Sequence, residues 1–213
     1  MQNSLCEAPS KWRGNYSTAA EWFFEVAEKC RDGFERPALG EWSVRELLGH
    51  TGRAFTTVAD YLGATGTEDV GSAEEYFRRA RAADPAAIAA RGKAAGAELG
   101  DEPVVTLRRL AERTARALAD AADDESVRSP FGVMRLAEYL PTRTFELVVH
   151  TCDLAVATGR PLAPPAAPAA SAMRLAGVLA GPMVGEVLMT LTGRRTLEPG
   201  FSVLSGARGP AGR

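Results

Sequence analysis

Histidine is the scarcest ionisable residue of this chain: its 213 residues include only His50 and His150. Cysteine is nearly as rare. Cys6, Cys30 and Cys152 are too few and too scattered for a disulfide framework or a cysteine-based zinc site, which points to a reducing, cytoplasmic setting. Lysine is scarce while alanine, arginine, glycine and proline are abundant, a bias expected of a GC-rich bacterial genome. There is no excess of one charge. A formal net charge of −2 leaves no basic footprint, so nucleic acid is not an expected partner. Arg78, Arg79 and Arg81 do cluster, but Glu74, Glu75 and Asp84 interleave with them, as on a solvated helix face. The N-terminus lacks an apolar signal core. No run is long enough to span a bilayer: Leu175–Val184 is flanked by Arg174 and Glu186 and interrupted by Gly177, Gly181 and Pro182. A packed helix is expected there, and no membrane. Internal repeats are absent.

What remains is an ordinary globular composition, 46% hydrophobic and 24% charged, in a chain long enough to bury one core. Apolar spacing predicts helices almost throughout. Residues 1–14 read as an irregular arm. A first helix starts near Ser17 and carries Trp22, Phe23, Val26, Cys30 and Phe34 inward before a turn at Pro37–Gly40. The second helix has the best-marked start. Ser43 is a natural N-cap, Glu46 completes a capping box, and Trp42 with Leu47 forms a hydrophobic staple. Gly63 ends it. Further helices are expected over about Ala73–Arg81, from Asp84-Pro85 to about Gly100, and over Pro103–Ala122. Asp123–Gly132 reads as a polar break and Met134–Leu140 as helical, with Pro141 kinking the chain or opening a helix that ends at Gly159. Arg160–Pro168 is a stiff connector, Ala169–Leu191 a last helix, Thr196–Leu204 an extended stretch and Ser205–Arg213 a frayed tail. The fold class is all-α: a four-helix core with added helices over residues 15–160, then a short C-terminal segment over 161–213.

One stretch stands out, R-T-F-E-L-V-V-H-T-C-D at Arg143–Asp153. Arg143, Glu146, His150 and Asp153 follow one another at steps of three, four and three, which keeps them on one helical stripe. Phe145, Leu147, Val148, Val149 and Leu154 make the rest of that helix apolar, so the stripe points into an interior. Buried ionisable groups are costly unless they pair or bind a metal. Glu146 and His150 are one turn apart, and His50 lies at the edge of the apolar stripe of the second helix. Two imidazoles and one carboxylate make a plausible site for Zn²⁺ with one position open, and the same donors suit Fe²⁺, Ni²⁺ or Mn²⁺. Asp153 could hold the free ring N–H of a ligand histidine, and Arg143 could clamp an anion or orient Glu146. A metal-free ion-pair cluster fits the same spacing, and spacing alone leaves both readings open. Cys152 falls on another face and reads as a small core residue. Trp42 reads as a staple rather than a substrate platform.

The pair of motifs W-S-V-R-E-L-L-G-H at Trp42–His50 and R-T-F-E-L-V-V-H-T-C-D-L-A-V-A-T-G at Arg143–Gly159 resembles the mycothiol-dependent maleylpyruvate isomerase family, within the DinB-like metalloenzyme superfamily. The likeness covers residues 15–160 best. It implies a DinB-like four-helix bundle whose divalent metal, usually zinc, is held by His50, Glu146 and His150. It also implies mycothiol as thiol cosubstrate, in isomerisation or S-transfer on a small electrophilic substrate. Arg143 and Asp153 are then the candidate catalytic residues. Members of that family usually carry a small α/β domain after the bundle. Here 54 residues follow Gly159, with the pattern of a helix and a tail, so no thiol or substrate contact is carried over from such a domain. Two other readings stand beside this one: a binding protein without turnover, and a hydrolase using metal-activated water. Bundles of this kind often dimerise, so a homodimer is also an expectation.

Overall fold

The computed structural model describes residues 9–204. Its elements run α1 (Pro9–Ala27), a 3-10 turn, β1 (Pro37–Leu39), β2 (Trp42–Ser43), α2 (Val44–Tyr61), α3 (Ala73–Ala80), α4 (Pro85–Glu98) and α5 (Pro103–Asp120). There follow β3 (Ser126–Ser129), β4 (Gly132–Arg135), α6 (Leu136–Ala157), α7 (Ala166–Leu179) and α8 (Val184–Leu191). The class is all-α, with two small antiparallel hairpins, β1–β2 and β3–β4. Helices α1, α2, α5 and α6 form the bundle. α6 packs on α1 and α2, and α2 also packs on α5. α4 lies along the outside of α2, and α7 covers α6 and α1.

α6 organises the core because it is apolar on most sides. Leu136, Tyr139, Leu140, Leu147 and Leu154 are fully buried, facing Leu47, Leu48 and Phe55 of α2 and Phe23 of α1 within one cluster. Phe24 and Phe55 stack with centroids 5.6 Å apart, tying α1 to α2. α2 begins where its sequence says: the Ser43 side chain accepts from Glu46 N, and Glu46 accepts from Ser43 N at 2.7 Å. A short stripe of glycine lets α4 approach. A β-carbon on Gly49 would collide with the backbone at Ala95–Gly96. Gly49→Ala is therefore expected to destabilise the fold by about 1–3 kcal/mol, the usual penalty of overpacking. Urea unfolding of the two proteins measures it.

Several expectations are corrected. α1 starts at Pro9, not near Ser17, because Trp12 and Tyr16 continue its buried stripe, 3% and 4% exposed, through the weak helix formers Gly14 and Asn15. The Pro37–Gly40 turn carries a strand, and the break at 123–132 is the β3–β4 hairpin. That hairpin extends through Met134 and Arg135, which lie in β4 rather than in a helix. Pro141 neither opens nor ends a helix: it sits inside α6. The donors at the start of α6 are satisfied from the preceding loop, Leu136 N by Glu125 O and Ala137 N by Asp123 O. The last helix is two, α7 and α8, bent by 108° where Gly181 takes φ +53° and Pro182 removes an N–H. Residues 196–204 are irregular, with turns at 199–200 and 203–204 and no strand. The start of the expected arm, 1–8, and the expected tail, 205–213, lie outside the described residues. No single described helix is long and apolar enough to cross a membrane, although the bent α7–α8 pair passes the same length and composition test when taken together.

Candidate metal centre

α2 and α6 bring the two histidines together. Their rings meet edge to face with centroids 4.9 Å apart. Glu146 Oε2 lies between them, 3.1 Å from His150 Nε2 and 3.9 Å from His50 Nε2. One donor atom from each of His50, Glu146 and His150 falls within 4.8 Å of the others. Metal–ligand bonds of about 2.1 Å in a tetrahedron put neighbouring donors about 3.4 Å apart, which the two measured separations bracket. The donor set therefore fits a divalent cation with small side-chain adjustments. Asp153 completes the arrangement: its Oδ2 is 3.0 Å from His150 Nδ1, leaving Nε2 directed at the cluster. This is the carboxylate–histidine support that ligand imidazoles commonly have.

Electrostatics separates the two imidazoles. Burial, with the neighbouring His150, pushes His50 down to about 4, so it stays neutral. Burial also disfavours charge on His150, but the carboxylates of Asp153 and Glu146 outweigh it and hold the ring up at about 9. Burial would raise Glu146, yet the hydrogen bond and charge of His150, with the charge of Arg143, bring it down to about 2. The metal-free protein then has a definite pH dependence. The unfolded chain binds more protons than the folded one at Glu146 between pH 4.5 and 2 and at His50 between 6.5 and 4, so stability is lost on acidification. His150 does the reverse: its contribution is complete below pH 6.5 and disappears as pH rises through 9. Metal-free protein is expected to be most stable near pH 6.5, as read by thermal unfolding in chelator across a pH series. A profile still rising at pH 9 would contradict these assignments.

Arg143 lies one turn before Glu146 on the same stripe, but its guanidinium turns to other partners. It is 7% exposed. Nε donates to Thr142 Oγ1 and Nη2 to the Tyr76 hydroxyl, both at 2.9 Å, and the guanidinium lies 5.1 and 5.0 Å from the ring centroids of Tyr76 and Tyr139. Its charge reaches Glu146 through space. Sequence reasoning missed both tyrosines. Tyr139 precedes Arg143 by one helical turn and was detectable; Tyr76 comes from α3, and nothing in the sequence links it to the site. Cys152 is part-buried, with its thiol pushed up by burial and by the Asp153 charge, so the structure gives it no thiolate character. A separate cavity of about 710 Å³ between α1 and α5, with Phe24, Phe55 and Leu118 in its lining, contains none of the site residues.

The sequence profile of the mycothiol maleylpyruvate isomerase N-terminal domain matches residues 34–155, more than half of the chain. The chain belongs to that family. The matched span runs from just before β1 to the last turn of α6 and so includes Trp42–His50, the second motif as far as Ala155, and the three helices α3 to α5 between them. The all-α bundle is accordingly of the DinB-like type. No curated protein and no solved structure gives a significant match.

Proposed function

We propose that this member of the mycothiol maleylpyruvate isomerase N-terminal domain family is a metal-dependent enzyme. It uses a low-molecular-weight thiol of the mycothiol type for isomerisation or S-transfer on a small, electrophilic, acidic substrate. The observation that carries this reading is the convergence of His50, Glu146 and His150 inside the domain that defines the family. A divalent cation, zinc by preference, would supply Lewis acidity there and favour the thiolate form of a thiol at neutral pH.

The chain's own groups prepare the site. Asp153 accepts from His150 Nδ1 and so reserves Nε2 for the cluster. His50 stays neutral and available as a donor. Glu146 stays ionised and supplies one negative charge between the rings. Arg143 adds a permanent positive charge beneath them, which favours an anionic substrate or a developing thiolate. Its guanidinium is fixed by Thr142 and Tyr76, so that field is already in place when substrate arrives. A thiolate adding to an electron-poor C=C makes that bond rotatable. Expulsion of the thiolate then returns the sulfur and leaves the trans isomer, whereas a substrate with a leaving group keeps the sulfur as a conjugate.

The test is consumption of maleyl-type and halogenated electrophiles by metal-loaded protein, with and without mycothiol. Thiol-dependent turnover is the expected result. Turnover without thiol would favour the hydrolase reading, and binding without turnover the non-catalytic one.

A further inference from the structure

The two histidines of the centre are restrained by different means. His150 has Asp153 on its far nitrogen. His50 has nothing equivalent: its Nδ1 is buried and without a hydrogen-bond partner among the described residues. Its ring rests instead on the indole of Trp42, with centroids 4.5 Å apart and planes tilted by 34°. Trp42 is itself held from the other side by α4. Its Nε1 donates to the Ala89 carbonyl at 3.0 Å, and a β-carbon on Gly92 would collide with the indole. Gly49 and Gly96, at the close approach of α2 to α4, keep the two helices in register around this contact.

We propose that Trp42 is the positioning residue for His50, and that α4 sets the orientation of a metal-ligating imidazole through Ala89 and Gly92 without giving a ligand itself. The inference rests on the metal reading of the His50–Glu146–His150 cluster. An imidazole has two side-chain torsions, and ligation needs both fixed. Hydrogen bonding to an oxygen is the usual restraint on the second. At His50 a flat aromatic wall takes that role. Such a wall limits ring rotation but leaves the choice of tautomer open, so Nδ1 can carry the proton while Nε2 faces Glu146. Trp42 is 8% exposed, so it is an interior support rather than a platform for substrate.

Zinc titration of the full chain tests this, together with the visible spectrum of the cobalt-loaded protein. Five proteins are compared: wild type, Trp42→Ala, Trp42→Phe, Gly92→Ala and Gly177→Ala. Trp42→Ala is expected to weaken zinc binding by roughly 10–100-fold, the range for losing a residue that orients a ligand, and to shift the cobalt bands. Trp42→Phe keeps a ring against His50 and is expected to recover most of the affinity. Gly92→Ala keeps every ligand residue and Trp42 itself but displaces the indole, and is expected to cost about tenfold. Gly177 has open space around it, so its alanine variant should bind as wild type does. Should Trp42→Ala fail to fold, Gly92→Ala carries the comparison against wild type and Gly177→Ala. Folded Trp42→Ala and Gly92→Ala proteins that bind zinc within twofold of wild type, with unchanged cobalt spectra, would overturn the positioning role and leave the metal centre standing. A wild type that binds no zinc would overturn both.

Discussion

Replacing Arg143 by alanine is expected to destabilise the protein by about 3–5 kcal/mol, as removal of a buried charged partner does. Three losses combine. Truncating a side chain that is 7% exposed leaves a cavity between α6 and α3. The Tyr76 hydroxyl loses its donor, and the faces of Tyr76 and Tyr139 lose a desolvated cation, worth up to about 2 kcal/mol. Glu146 loses the nearest permanent positive charge. Arg143→Lys keeps the charge but not the planar fork that reaches Thr142 and Tyr76 together, so an intermediate loss is expected. Urea unfolding of the three proteins measures this, and a loss below about 1 kcal/mol for the alanine variant would contradict the packing account. Metal content and turnover of Arg143→Lys separate support from chemistry. If both are unchanged, Arg143 has no part in the reaction.

His150→Ala is expected to have the largest effect on the centre. It removes one of three protein donors and also strips Asp153 and Glu146 of their shared partner. Metal affinity should fall by more than the roughly 100-fold that sets the upper end for losing a supporting group. Asp153→Asn supplies the comparison: it leaves all three donors and should cost roughly 10–100-fold. Equal affinities for the two variants would mean that His150 is not a ligand. Glu146, without its imidazole, should also titrate at a higher pH, which carboxyl NMR of metal-free protein would show as a rise from about 2.

Much of this site was legible in the residues themselves. The spacing of Glu146, His150 and Asp153 fixes their common face on any helix, and the place of His50 one turn from Leu47 and one turn from Ala54, at the edge of the apolar stripe of α2, turns it inward. Both are local signals, read within one or two turns. What was not legible depends on contacts between distant segments. Arg143 can pair with a carboxylate or with tyrosines by spacing alone, and only the docking of α3 brings Tyr76 to it. Trp42 read as a staple because its place before the cap accounts for it, whereas its contact with His50 depends on how α4 presses upon it. The β3–β4 hairpin went unread because Ser126–Ser129 and Gly132–Arg135 are each only four residues long. Pro130 in its turn and Gly132 at the start of β4, flanked by Val127 and Val133, were the available signal. The division of α7 from α8 was foreshadowed by Gly181 and Pro182, which were read as interruptions of a helix rather than as its end.

The central claim is that His50, Glu146 and His150 hold a metal ion. Its most direct test is elemental analysis of untagged wild-type protein purified without chelators, repeated after reconstitution with zinc and exhaustive dialysis. About one equivalent of a divalent metal per chain is the predicted result. Metal-free protein after reconstitution would contradict the claim and leave the three residues as a buried polar cluster.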